Sequence, residues 1–136
     1  QLAKFSAHWP DMTPEWFESR AWIWLHYAVA KLGRGELFEA IGMLSFFREQ
    51  VLGPMLHRRA NLPQRGVRRI ESRGIDPDGL LTSTLATHDR DSVSVAIRMA
   101  LDAYITLRAD ALPENIADDA AQRALLAMLK AYSDKV

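Results

Sequence analysis

Trp16, Arg20, Trp24, Tyr27 and Lys31 follow one another at steps of four, four, three and four residues. A helix turns by about 100° per residue, so these five side chains fall in one narrow stripe. Aromatic rings with interleaved cations suit a planar or anionic ligand, held by stacking, cation–π contact and charge. Arg20 and Lys31 stand about 16 Å apart along such a helix, from its rise of about 1.5 Å per residue. Two other readings use the same residues. The stripe suits a second core face, past which Arg20 and Lys31 snorkel to solvent. It also suits a subunit or domain interface, where Trp, Tyr and Arg are enriched.

A second concentration of charge lies at residues 57–73, where Arg58, Arg59, Arg65, Arg68, Arg69 and Arg73 are offset by Glu71 alone. Arg65, Arg68 and Arg69 are three and four residues apart and share a face if the segment is helical. Such a cluster can bind phosphate bidentately. It also suits a solvated face, or pairing with Asp76, Asp78, Asp89 or Asp91, and this structural reading is the favoured one. No aromatic ring of Phe, Trp or Tyr is interleaved in it, which counts against RNA binding.

The histidines, His8, His26, His57 and His88, do not pair at metal-ligand spacing, and no HExxH occurs. No metal ligand is therefore assigned. His88, Asp89 and Asp91 read as a helix start, where acids complement the macrodipole. There is no Gly-x-Ser-x-Gly elbow and no phosphate-cradling glycine loop. Paired aspartates of the kind that two-metal phosphoryl or nucleotidyl transfer needs are also missing. No catalytic residue is assigned, and the chain by itself is expected not to catalyse a reaction.

The elements that must position these residues are helices. Thr13 suits an N-cap and Pro14 the first helical position, so helix one runs from Pro14 to about Leu32 and ends at Gly33-Arg34-Gly35. Helix two runs from about Glu36 to Leu52, with Leu37, Ile41, Leu44 and Val51 at helical spacing. Gly53-Pro54 is expected to stop or kink it, with a further turn or two to Arg59. Pro63 opens helix three, to Arg73, and Asp76-Pro77 opens helix four, to about Thr87. Asp89 or His88 caps helix five, whose stripe is Val93, Ile97, Leu101 and Ile105. Helix six covers about Ala117 to Ser133, with Leu125, Leu126 and Leu129 inward. The expected fold is an all-α, mostly antiparallel bundle of five or six helices over 14–136, preceded by an arm or linker over 1–13.

The composition agrees with a folded domain: 136 residues, 49% hydrophobic, no cysteine, and 17 Lys and Arg against 17 Asp and Glu. Zero formal net charge argues against a general nucleic-acid binder. The longest nearly apolar run, Trp22 to Ala30, contains His26 and is too short to span a bilayer. No leader is read at the start, and a cytoplasmic location is expected.

Trp16-Phe17-Glu18-Ser19-Arg20-Ala21-Trp22 and Lys31-Leu32-Gly33-Arg34-Gly35-Glu36-Leu37-Phe38-Glu39-Ala40 resemble the C-terminal helical domain of bacterial nucleotidyltransferase-fold proteins. That group contains the aminoglycoside and lincosamide nucleotidyltransferases. Arg48, Val51-Leu52-Gly53-Pro54, Gly66-Val67-Arg68-Arg69-Ile70-Glu71 and Thr87-His88-Asp89 resemble an uncharacterised branch of it. The resemblance implies a substrate-binding-domain-like bundle beside an N-terminal or separate α/β domain. That domain holds the metal-binding carboxylates and transfers a nucleoside monophosphate. It is absent from these residues, so nucleoside triphosphate and Mg belong with it and no cofactor is expected in this chain.

For the present residues the resemblance implies Lys31 as a phosphate contact. Arg20, Trp24 and Tyr27 become pocket or domain-interface residues. Glu36 caps helix two or touches a small-molecule acceptor, with capping favoured. Two alternatives stand beside this: a helical dimerisation module without catalysis, and a HEPN-type ribonuclease built on Arg20 and His26. Six helical steps place those two about 120° apart, so they converge only on a distorted helix. A homodimer is a possible assembly, whereas a membrane or nucleic acid is not an expected partner.

Overall fold

The computed structural model describes residues 10–116 and 119–133. Its helices are α1 (Pro14–Gly33), α2 (Leu37–Phe47), α3 (Gly53–Arg59), α4 (Arg90–Arg108) and α5 (Asp119–Ala131). A π-helical turn, Arg48–Leu52, joins α2 to α3, and a short 3-10 turn lies at Thr82–Thr84. The protein is all-α: the α2–α3 segment forms one continuous rod, so four helical rods pack together among the described residues. Helix α1 packs against α2, α4 and α5, while α4 also touches α2, α3 and α5.

Local chemistry fixes the helix ends. The Thr13 side chain accepts from the Trp16 N–H at 3.1 Å, and Pro14 takes the first position of α1, where a missing N–H costs nothing. At the other end Gly35 is left-handed, with φ of 76°. The Glu36 N–H then reaches the Lys31 carbonyl and the Gly35 N–H the Leu32 carbonyl, both at 2.9 Å, which is a Schellman closure. Asp89 is the N-cap of α4 and accepts from the Ser92 N–H at 2.9 Å. The Ser92 hydroxyl in turn accepts from the Thr87 N–H at 2.9 Å.

The core collects the apolar faces of all four rods. Phe17, Leu25, Val29 and Leu32 of α1 meet Leu44, Phe47, Val51, Leu52, Met55 and Leu56 of the α2–α3 rod. They also meet Val93, Ile97, Leu101, Tyr104 and Leu107 of α4, and Leu125 and Leu129 of α5. Each buried aliphatic or aromatic side chain contributes about 1.5–3 kcal/mol of transfer free energy, so this face defines the fold.

Two expected helices are corrected, and one boundary is refined. Gly53-Pro54 does not stop the second helix, and the further turns to Arg59 form as expected. The preceding turn widens to π geometry, the Gly53 N–H bonds to the Arg48 carbonyl, and Pro54 falls at the start of the next α segment, where its missing N–H is tolerated. No helix runs from Pro63 to Arg73 or from Pro77 to Thr87; residues 60–89 form turns around the single 3-10 turn. Only Ile70 of the stretch from Pro63 to Arg73 enters the apolar core, so the stripe that stabilises a packed helix is missing there. Asp76 does act as a cap. Its two carboxylate oxygens accept from the Leu80 and Leu81 N–H groups at 2.8 and 2.9 Å, which closes a tight turn in place of a helix. The bundle accordingly has four rods where five or six helices were expected. Of the leading arm, residues 1–9 lie outside the described residues.

Candidate ligand-binding site

The stripe on α1 divides into two clusters. At the N-terminal end the Arg20 guanidinium lies 4.4 Å from the centre of the Trp16 ring. Trp16 meets Trp24 edge-on at 6.0 Å, and Trp24 meets Phe46 of α2 at 4.9 Å. Both tryptophans are half-buried and pack on the core. At the C-terminal end the Lys31 ammonium lies 2.6 Å from Glu39 and 3.4 Å from Glu36, and 5.3 Å from the centre of the Tyr27 ring. The Tyr27 hydroxyl reaches Glu39 at 3.5 Å. The hydrogen bond from Lys31 to Glu39 holds the lysine above its ordinary pKa and the carboxylate below its own. Lys31 is therefore a cation already matched by two acids. Glu36 stands at the N-cap position of α2, yet its side chain makes no capping bond. It turns back to Lys31 and Arg34 instead, which corrects the favoured capping role. Helix α1 is regular from Pro14 to Gly33, so it lacks the distortion that an Arg20–His26 pair requires.

The arginine-rich segment sorts into structural and open members. Arg59 holds Asp110 through two bonds of 2.7 and 3.1 Å. Arg58 donates to the Leu107 carbonyl at 3.3 Å and lies 5.8 Å from the Phe17 ring centre. Burial lowers the Arg58 pKa. These two fasten α3 to the end of α4. The side chains of Arg68, Arg69 and Arg73 are exposed and make no hydrogen bond or ion pair among the described residues.

What gathers those three is His57, buried at 3% exposure on α3. Its Nδ1 accepts from the Arg65 N–H at 3.2 Å, which leaves Nε2 to carry the proton and donate to the Arg68 carbonyl at 2.9 Å. Gly53 allows the same loop to lie on the rod, since a Cβ there would stand 2.0 Å from the Gly66 carbonyl oxygen. Gln64 ties the loop to the chain before α1. It accepts from the Met12 N–H at 2.7 Å and donates to the Met12 carbonyl at 3.1 Å, while its N–H bonds Asp11 at 3.0 Å.

Two adjoining concavities result. One, of about 310 Å³, is lined by His57, Leu62, Pro63 and four arginines: Arg65, Arg68, Arg69 and Arg73. The other, of about 500 Å³, includes Trp16, Glu49, Gln50, Gln64, Arg65 and Arg68. Arg65 and Arg68 border both. Of the stripe, Trp16 lines the second of these two concavities; Arg20, Trp24, Tyr27 and Lys31 line neither. The roles of His57 and Gln64 were missed by sequence reasoning. A histidine four residues after Gly53 and just before two arginines was the available signal, but its partners depend on the loop's path.

A buried polar node also escaped the sequence. Glu18, at 6% exposure, accepts from the Tyr104 hydroxyl at 2.5 Å, from Trp22 Nε1 at 2.9 Å and from Arg108 at 3.2 Å. Burial first, and the bond to Glu18 second, raise the Tyr104 pKa well above its ordinary value. This node is saturated by its own members and joins α1 to α4. Among the described residues no group of three acidic or histidine side chains converges to hold a metal ion, and no helix is long and apolar enough to cross a membrane. Compared with protein-family models, curated proteins and solved structures, the chain matches none.

Proposed function

We propose that the chain is an accessory, substrate-binding helical module of a nucleotidyltransferase-like protein. In this reading it helps to hold nucleotide phosphates and a small-molecule acceptor beside a separate catalytic α/β domain, which brings the nucleoside triphosphate and Mg. The resemblance of residues 16–40 motivates the proposal. The observation that carries it is the groove of about 500 Å³ in which Trp16, at the foot of the α1 stripe, meets Gln50, Gln64 and Arg68. An aromatic wall with amide and guanidinium donors around it suits a planar or polar ligand. Lys31, Arg20, Trp24, Tyr27 and Glu36 belong to this reading as the face toward the catalytic domain. Lys31 exchanges its two carboxylate partners for a phosphate when that domain docks.

Tryptophan emission of the full chain titrated with ATP tests the reading. Binding is expected to quench emission, and the affinity is expected to fall severalfold in Trp16→Leu, and in Lys31→Ala once the catalytic domain is present. The chain alone transfers no nucleotide. Unchanged affinity across Trp16, Arg20, Tyr27 and Lys31 variants would remove the stripe from the site.

A second reading, docking of another helical chain without a small ligand, is favoured by two large apolar side chains left open on α1 and α2. Ile23 is 66% and Phe38 82% exposed. Sedimentation of Ile23→Asp and Phe38→Asp separates the two: a dimer lost in these variants supports docking, and a monomer in the unaltered chain opposes it.

A further inference from the structure

We infer that the loop from Leu62 to Arg73, with His57 beneath it, forms a binding site for the phosphate groups of a small phosphorylated ligand. The proposal goes beyond the substrate-binding reading: Gln64 to Arg68 also border the Trp16 groove, but the concavity over His57 adds Arg69 and Arg73, and none of these residues belongs to the α1 stripe.

Charge comes first. The chain as a whole is neutral, with 17 cations and 17 acids. Four arginines nevertheless line one concavity of about 310 Å³, and no acidic residue lines it. Arg68, Arg69 and Arg73 hold no counter-ion among the described residues, whereas Arg59, Arg98 and Arg108 each hold a carboxylate. Like charges on a free loop move apart to lower their repulsion. Here they are held by the two His57 bonds, by Ile70 in the core and by the seating of Gly66 on Gly53. The positive potential is thus organised before a ligand arrives, which lowers the ordering cost of binding.

Backbone geometry points the same way. Arg69 has φ of 59°, a left-handed conformation that a residue with a Cβ occupies at a cost. Glycine serves at such a position without strain, and the loop uses glycine for the same purpose at Gly66 and Gly74. Arg69 thus stands where glycine would fit without strain, and it borders the concavity with Arg65, Arg68 and Arg73. Guanidinium forks match phosphate oxygens bidentately, and three of them around one concavity match the several oxygens of a phosphate or diphosphate. A nucleic-acid backbone is a poorer match, since the chain has no net positive charge and this concavity has no Phe, Tyr or Trp for a base to stack on.

The test is calorimetric titration of the full chain with inorganic pyrophosphate at constant ionic strength. Saturable one-site binding is expected, weakening as salt rises. Arg68→Gln and Arg73→Gln should each weaken it about tenfold. Arg69→Gly should weaken it equally while leaving the melting temperature unchanged or higher, which excludes loss of folding as the cause. Arg98→Gln, at a distant exposed pair, should bind as the unaltered chain does. ATP and tripolyphosphate identify the carrier: equal affinities mean that the phosphate tail is all the site reads, and tenfold tighter ATP means a nucleotide. Absence of saturable pyrophosphate binding, or binding by all three loop variants as tight as that of the unaltered chain, overturns the proposal. That result would leave the α1 stripe untouched, just as insensitivity of ATP binding to stripe variants would leave this site standing.

Discussion

Replacement of His57 by Phe isolates the pin beneath the arginine loop. The ring is buried, and the change deletes two hydrogen bonds, one of 2.9 Å to the Arg68 carbonyl and one of 3.2 Å from the Arg65 N–H. A typical intramolecular hydrogen bond contributes about 1 kcal/mol net, and a buried group left without a partner costs about 1–3 kcal/mol. Water reaches part of this loop, so the expected loss for His57→Phe is about 2–3 kcal/mol. That corresponds to a urea midpoint lower by roughly 1 M for a chain of this size. His57→Gln retains an amide N–H near the place of Nε2 and so restores the bond to Arg68, with an expected loss of about 1 kcal/mol. Urea denaturation gives the stability and pyrophosphate titration of the folded variants gives the affinity. The order in both should be the unaltered chain, then Gln, then Phe. A His57→Phe protein within about 0.5 kcal/mol of the unaltered one, with unchanged pyrophosphate affinity, would refute the pin, because ordinary surface substitutions fall in that range.

Gly53→Ala should destabilise by about 2–3 kcal/mol and weaken pyrophosphate binding, because the new Cβ meets backbone at 2.0 Å and must lift the loop; thermal melting and the same titration check both effects. Tyr104 predicts an alkaline decline. Its folded pKa is raised, so its contribution is complete below pH 10 and is lost as pH rises above that, where the unfolded chain sheds the phenol proton and the folded chain does not. Stability measured between pH 8 and 11 should fall less steeply in Tyr104→Phe. Added salt removes the exposed Lys31–Glu39 pair from the comparison. An identical slope in both proteins would show that Tyr104 titrates normally.

What could be read in the sequence was what depends on near neighbours. The Thr13 and Asp89 caps, the end of α1 at Gly33 and the apolar stripe of α4 all follow from residues within a turn or two, and the structure places them as expected. The path of residues 60–89 does not follow from such neighbours. Pro63 and Asp76-Pro77 are genuine start signals, but Gly66, Arg69, Gly74 and Gly79 all take positive φ, and a single residue of the stretch from Pro63 to Arg73, Ile70, is drawn into the core. Start signals without an apolar stripe give turns. The spacing of Arg65, Arg68 and Arg69 predicts a shared helix face, whereas a loop gathers them. Glu18 was illegible for a different reason. Tyr104 and Arg108 lie 86 and 90 residues from Glu18, so the network exists only after α1 and α4 have packed. The α1 stripe was legible as a pattern, while its division into a tryptophan cluster and a neutralised lysine depended on Phe46, Glu36 and Glu39 of the next helix.

The central claim is that, in this chain by itself, phosphate is recognised at the His57 loop, where the arginines are open, while Lys31 on α1 is held by Glu36 and Glu39. The most direct measurement is a two-dimensional NMR titration of the isotope-labelled full chain with pyrophosphate, following backbone amides and arginine Nε–H groups. The account predicts shifts at Arg68, Arg69, Arg73 and the amides between Leu62 and Gly74 that saturate together with one dissociation constant. Shifts centred on Arg20 and Lys31, or small linear shifts spread over every arginine, would contradict it.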